Sequence, residues 1–368
     1  MTYNLEFFSE IQRNVVSGGN SVRSCGMWSV SNAGMVRYHV LSQNSLSALD
    51  TCPSLCIPGC MKSVSAGANG IVWSLAQDGA VYSFSPDFNF LSGSVLNFSA
   101  VQQTNVVREI YEYQQSAFMR GFVAYRGRSK DGITAWMEGS NSVSGLYEKL
   151  GSREWKWIDS KWRVIDTDKY EDGWTYSENI DGVYSKGKQK KASARRRTWQ
   201  RRARFECRGP WLAIEAPAIR CVEVQKAEAD RILVWAVTMN GEILIRQGVT
   251  AAHPQGTTWK HIICDYNIEA ISVASPTCVW ATTVDGRLLR RECSDQTDIE
   301  CVGKMSRCLA LPKATYVSID GEDRVYCCDG TRIIKLEKVI ENTERTGRLE
   351  FRISEMTLHG SYAQFCFV

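Results

Sequence analysis

The feature that most constrains this chain is a tryptophan followed six positions later by a glycine, a pair that recurs four times. The copies read WSVSNAG from Trp28 to Gly34, WSLAQDG from Trp73 to Gly79, WAVTMNG from Trp235 to Gly241 and WATTVDG from Trp280 to Gly286. Apolar residues alternate at period two around each glycine, and a glycine at that place would break any helix. Asp-Gly or Asn-Gly between alternating runs is a strong hairpin signal, because a type I′ turn needs positive φ at both central residues. Each copy therefore predicts a tight hairpin with a tryptophan early in its first strand. A fifth copy, YVSIDGEDRVYCCDG from Tyr316, keeps the alternation but not the tryptophan.

Spacing extends the argument from hairpin to fold. Trp28 and Trp73 lie 45 residues apart, and so do Trp235 and Trp280. A period of that size with one hairpin per unit fits the four-stranded blade of a β-propeller. In the third unit, HPQGTTWKHI supplies a turn and a further strand bearing Trp259. The expected fold is all-β, a propeller of about five to seven blades.

Between Trp73 and Trp235 the period fails, because 162 residues separate them. An insert spanning roughly 106–208 accounts for the excess, leaving blades in 1–105 and 209–368. The insert holds six of the twelve tryptophans: Trp136, Trp155, Trp157, Trp162, Trp174 and Trp199. In it, WKWIDSKWRV reads as one alternating strand, EDGWTYS as a turn and a second strand, and RRRTWQRRARF as a third. Arg195, Arg197, Trp199, Arg201 and Phe205 share one face of that third strand, opposite Arg196, Arg202 and Arg204. KGKQKKASA, just before it, reads as a solvated loop.

Charge sorts these basic residues into two kinds. Lys186 to Arg204 carries ten basic residues and no acidic one, whereas the rest of the chain has 34 basic against 40 acidic residues. The strand uses only arginine, and the loop only lysine. A guanidinium stacked on an indole gains roughly 0.5–1 kcal/mol when exposed and about 2 or more when desolvated, and arginine does this better than lysine. The arginines are thus expected to form a ladder with the tryptophans inside a small β-module, with Trp155 and Trp157 buried there. Lys186, Lys188, Lys190 and Lys191 remain for solvent or for an anionic surface, where each basic residue contributes about 1 kcal/mol. Nucleic-acid binding is not expected, because such a domain usually spreads its positive charge over a face.

The residues now match a known pattern. Trp155 to Arg204, with WKWIDSKWRV, EDGWTYS and RRRTWQRR, resembles a dysferlin (DysF) domain, and REIYEYQQSAFMRGF with ITAWMEG is similar to its N-terminal half. The flanking repeats, and ILIRQGVTAAHPQGTTWKHI above all, resemble tectonin propeller repeats of the autophagy-linked and peroxin-23-like families. The resemblance implies that Trp155, Trp157, Trp162, Trp174, Arg195, Arg197, Trp199 and Arg201 are the module's framework, and that the Lys186–Lys191 tip is its membrane-facing loop. Autophagy members carry an aromatic residue in that loop, and KGKQKKASA has none. It further implies a cytoplasmic, non-enzymatic adaptor, peripheral on lysosomal, autophagosomal or other endomembranes. Its expected partners are anionic or sphingomyelin-containing membranes and a protein, with the autophagy conjugation machinery as candidate.

Other classes find less support. There is no phosphate-cradling glycine loop, nucleophile elbow or His-x-x-x-His pair, and His253 and His261 fall on a turn and a strand end. Glu171 and Asp172 are adjacent and read as a turn rather than a carboxylate dyad. The cysteines lack the paired clusters of a zinc site, and no cofactor is expected. MTYNLEFFSEIQR has neither a basic nor an apolar segment of a secretory signal. The alternatives are a soluble interaction scaffold that binds no lipid and a lectin-like propeller.

Overall fold

The computed structural model describes residues 7–17, 20–31, 33–41, 54–88, 98–187, 191–226, 232–276, 278–292, 304–308, 313–319, 324–328, 333–339 and 350–356. The chain divides into two compact units, Gln103–Glu206 and the segments on either side of it, Met1–Gln102 with Cys207–Val368.

The larger unit is built of four-stranded antiparallel sheets. Strands β1 (Phe7–Ser17), β2 (Asn20–Val30), β3 (Val36–Leu41) and β4 (Ser54–Ile57) pair in sequence order as the first blade. The second begins with β5 (Ser63–Ala66), β6 (Val72–Leu75) and β7 (Val81–Phe84). The insert then contributes β8 (Val101–Ala117), β9 (Gly121–Ala124), β10 (Trp136–Glu138), β11 (Asn141–Ser142), β12 (Trp155–Trp157), β13 (Arg163–Val164), β14 (Thr175–Ser177) and β15 (Ala194–Arg208). Only afterwards does β16 (Trp211–Ile214) close the second blade, placing Trp211 opposite Phe84 and Ile214 opposite Val81. The insert thus enters between the third and fourth strands of one blade.

Three more blades follow. They comprise β17 (Ile219–Val224), β18 (Ile232–Thr238), β19 (Ile243–Val249) and β20 (Trp259–Ile262); β21 (Ile268–Ser275), β22 (Cys278–Thr283), β23 (Leu288–Glu292) and β24 (Lys304–Cys308); and β25 (Tyr316–Ile319), β26 (Val325–Cys328), β27 (Ile333–Val339) and β28 (Glu350–Met356). The described residues therefore form five four-stranded blades. In the fifth, YVSI is the innermost strand, the place held by Ser63–Ala66 and Ile268–Ser275, and the hairpin equivalent is β26–β27. The Tyr316 copy is in this sense displaced by one strand from the register its sequence suggests.

Each repeat residue has a physical task. Trp28, Trp73, Trp235 and Trp280 are buried in the cores between sheets. The four glycines have φ between +83° and +85°. Gly241 donates its N–H to the Thr238 carbonyl at 2.9 Å, and Thr238 N–H bonds Glu242 O. Asp78, Asn240 and Asp285 stay outside the positive-φ region. The hairpins are therefore type I turns closed by a glycine bulge, not the type I′ turns expected from Asp-Gly and Asn-Gly. The reason lies beyond the hairpin. The carbonyl of each glycine accepts the backbone N–H that begins the next blade: Met61 on Gly34, Ile219 on Gly79, Ile268 on Gly241 and Ala314 on Gly286, at 2.7–3.1 Å. A Cβ on Gly241 would lie 1.7 Å from Asn267 Oδ1.

Inner strands are joined by serines that recur with the repeat. Ser65 Oγ accepts from Val224 N–H at 2.9 Å, and Ser272 Oγ accepts from Ile319 N–H at 3.1 Å. Ser65 also donates to the Glu223 carboxylate at 3.1 Å. Burial drives the Glu223 pKa up to about 7, opposed by the Lys226 charge and the Ser65 hydrogen bond.

Candidate functional site

The insert is one antiparallel sheet organised on two long strands. β8 and β15 lie side by side at its centre, β9 and β10 pair with β8, and β12, β13 and β14 dock in turn along the far edge of β15. WKWIDSKWRV is two short strands rather than one. The break follows from Asp159, whose carboxylate accepts the Arg202 backbone N–H at 2.8 Å and its guanidinium at 2.7 Å, drawing the chain out of the ladder between Trp157 and Arg163. The Arg202 hydrogen bonds hold the Asp159 pKa down at about 2. Glu171–Gly173 is a single 3-10 turn in which Asp172 and Gly173 take positive φ.

On one face of β15 the arginines lie against rings. Arg195 stacks on Trp174 at 3.9 Å from the ring centre and on Phe122 at 4.7 Å, and its Nη2 reaches Gln114 Oε1 at 2.6 Å. Arg197 covers the other contact of Trp174 at 4.5 Å and Trp199 at 4.7 Å, and bonds Glu112 at 2.6 Å. The Trp199 indole N–H donates to the same Glu112 oxygen at 2.9 Å. Arg201 is 4% exposed and has a partner at each nitrogen: it lies 4.2 Å over Trp157, donates from Nε to Asp159 O and from Nη2 to Ser160 O, and pairs through Nη1 with Glu148 at 2.6 Å. A buried guanidinium is tolerable only with its donors matched in this way.

Not every expected stack forms as the sequence suggests. Trp155 lies 5.1 Å from Arg108 of β8 and edge-on to Phe205, instead of meeting an arginine of β15. Trp162 and Trp174 are buried, whereas Trp155, Trp157 and Trp199 are half-buried, which corrects the expectation that Trp155 and Trp157 lie inside. Trp157 and Trp162 pack edge-on at 5.4 Å and share Tyr147 as a third ring. Burial, and then the Glu138 carboxylate, raise the Tyr147 hydroxyl to about 12. The opposite face has its own small core of Tyr113, Tyr125 and Met137, with Tyr111, Ile133, Ile180 and Tyr184 packed against it. Arg196 lies on that face, 4.4 Å over Tyr184.

The lysines behave differently. Lys186 and Lys191 are exposed, Lys186 at 6.0 Å from the Tyr170 ring, and Lys188 and Lys190 lie outside the described residues. Sequence reasoning missed the groups that β8 contributes: Arg108, Glu112 and Gln114 facing the arginine ladder, and the exposed Phe118 and Met119 at the turn into β9. The dipeptide before Arg120-Gly121, apolar at a hairpin tip, was the available signal for the last two. Among the described residues no group of three His, Cys, Asp or Glu side chains is placed to hold a metal ion, and no helix is long and apolar enough to cross a membrane.

This architecture defines an all-β protein of the β-propeller class with a β-rich insert. A family described as a propeller matches residues 233–262, which span β18 to β20. The chain is similar to human tectonin β-propeller repeat-containing protein 1, at 28% identity over 237 residues, covering 59% of this chain and 20% of the relative. A Drosophila melanogaster tectonin β-propeller repeat-containing protein is 25% identical over 303 residues, covering 74% of this chain and 22% of the relative. The matched regions thus span about a fifth of the length of these relatives. Among solved structures, AofleA from Arthrobotrys oligospora aligns at 8% identity and a TM-score of 0.37, covering 96% of this chain and 72% of that one. Aleuria aurantia lectin aligns at 11% identity and 0.31, covering 98% and 100%.

Proposed function

We propose that this chain is a non-enzymatic adaptor whose propeller engages a protein partner while its insert, read as a dysferlin-type module, docks peripherally on a membrane. The observation that carries the reading is the division among the basic residues. The arginines of β15 are taken up by rings and acceptors: Arg195 by Trp174 and Gln114, Arg197 by Glu112, Arg201 by Glu148 and Arg202 by Asp159. Lys186 and Lys191 are exposed on the segment that precedes the strand. Lys188 and Lys190 lie between them in the sequence, and four cations within six residues suit an anionic or sphingomyelin-containing membrane, of the order of 1 kcal/mol each near a charged surface. The setting this reading assigns is the cytoplasmic side of lysosomes, autophagosomes or other endomembranes, with the autophagy conjugation machinery as candidate partner. Similarity to tectonin propeller proteins supports the interaction role of the propeller.

Co-sedimentation with neutral, anionic and sphingomyelin-containing vesicles at rising salt tests the membrane half. Changing Lys186, Lys188, Lys190 and Lys191 together to Ser is expected to weaken binding to anionic vesicles without altering the unfolding midpoint. Equal binding by parent and variant to every vesicle removes the lysine cluster from the function and leaves the soluble scaffold reading.

A further inference from the structure

Three of the most exposed large apolar side chains among the described residues belong to the insert: Phe118 at 93%, Met119 at 90% and Val183 at 91%. The strand register places them at one end of its sheet. Ser116 N–H bonds Ser193 O at 2.7 Å, and Ser193 N–H bonds Ser177 O at 3.1 Å, so β8, the entry to β15 and the exit from β14 end level with one another. Ser116 is opposite Phe122, and Tyr176 is opposite Ser185. The β8–β9 turn with Phe118 and Met119, and Val183 two residues before Ser185, extend past that line.

The backbone at this tip is also unusual. The turn is closed by Arg120 N–H on Ala117 O, and Met119 adopts φ +59°. A left-handed conformation at an unbranched but bulky residue costs roughly 1 kcal/mol that glycine would avoid. Strain of this kind gathers at functional positions. Here it holds two large apolar side chains in water, where folding alone gains nothing from them.

The charges beside the tip indicate what it meets. Arg120, Lys130 and Lys191 are exposed at this end, against Glu178 and an Asp181 carboxylate held by the Ser129 hydroxyl and the Lys130 N–H. Asp131 is exposed beside Lys130, so the charge at this end is mixed, and the apolar side chains dominate the tip. Such a tip matches the interface of a bilayer, where the Phe118 ring and the Met119 thioether enter the acyl boundary and the Arg120, Lys130 and Lys191 side chains meet anionic headgroups.

We infer that Phe118 and Met119 form an apolar wedge that inserts into the interfacial layer of a phosphatidylserine-containing bilayer. The inference rests on the membrane reading above and adds the residues that penetrate. The test uses the full chain with phosphatidylcholine vesicles, with and without phosphatidylserine, at about 0.1 M and about 1 M salt, where the screening length falls from about 10 Å to about 3 Å. The parent is expected to bind the anionic vesicles and to keep a residual affinity at high salt, since apolar insertion is not screened. Phe118→Ser with Met119→Ser is expected to lose about tenfold or more at low salt and the whole residual at high salt, with an unchanged unfolding midpoint. Phe118→Trp with Met119→Leu restores binding. A double serine variant that binds as the parent does at both salts overturns the wedge and leaves the membrane reading standing. A parent that binds no vesicle overturns both.

Discussion

The stack of Arg195 on Trp174 offers a clean measurement of what holds the insert together. Arg195 lies 3.9 Å from the Trp174 ring centre and donates to a neutral amide, Gln114, so the stack can be measured with a neutral acceptor beside it. Trp174 is 6% exposed and Arg195 half-buried, which places the contact between the exposed and desolvated limits, at about 1 kcal/mol. Trp174→Leu alone is expected to cost about 2–3 kcal/mol, less than the 3–5 kcal/mol of a tryptophan truncated to alanine, because leucine refills part of the space. Arg195→Met keeps the aliphatic stem and removes the charge. In a double-mutant cycle the two changes are expected to couple by about 1 kcal/mol, well above the ~0.3–0.5 kcal/mol scatter of independent sites. The assay is urea unfolding, with hydrogen exchange of β14 and β15 amides to localise the loss to the insert. Strict additivity would refute the stacking account and show that the ring acts only as apolar filler.

Other expectations follow from the same geometry. Glu223 has a folded pKa raised to about 7 against an ordinary 4.5, so its neutral form favours the fold and that preference is lost as pH rises through about 7. Glu223→Gln is therefore expected to unfold later than the parent at pH 8, by about 1–2 kcal/mol after discounting for its partial exposure, with the gain shrinking as pH falls from about 7 and gone below about pH 4; equal midpoints at pH 8 and pH 4 would refute it. Asp159, lowered to about 2, is expected by NMR to titrate well below a free aspartate, and Arg202→Gln to return it toward the ordinary value. Gly241→Ala combines positive φ with a Cβ against Asn267 and is expected to cost about 2 kcal/mol or more, read as a lowered thermal midpoint.

Much of the propeller was legible locally, because hairpins are local. The Trp-x6-Gly pairs, the period of 45 residues and the alternation are properties of short stretches. The turn type was misread because Asp-Gly and Asn-Gly permit a type I′ turn. The bond from the glycine carbonyl to the next blade, a partner more than twenty residues on, accompanies the bulged form. In the insert, the alternation on RRRTWQRRARF sorted the arginines by face correctly, since period-two geometry needs only the strand itself. Glu112 and Gln114 were not recognised as their acceptors, because β8 is 81–87 residues away and nothing local names it as the neighbour.

What the sequence by itself determined is therefore the repeating unit, where its hairpins turn and that its tryptophans face inward, and in the insert that arginines of one strand face stack on rings. Tertiary structure alone decided that β16, beyond the insert, completes the second blade, that Asp159 splits the tryptophan strand, and that Phe118 and Met119 stand in water. The physical reason is range. Turn chemistry and side-chain alternation act within a few residues, whereas strand pairing across a hundred residues is selected by the burial and hydrogen bonding of the whole sheet, which no single segment carries.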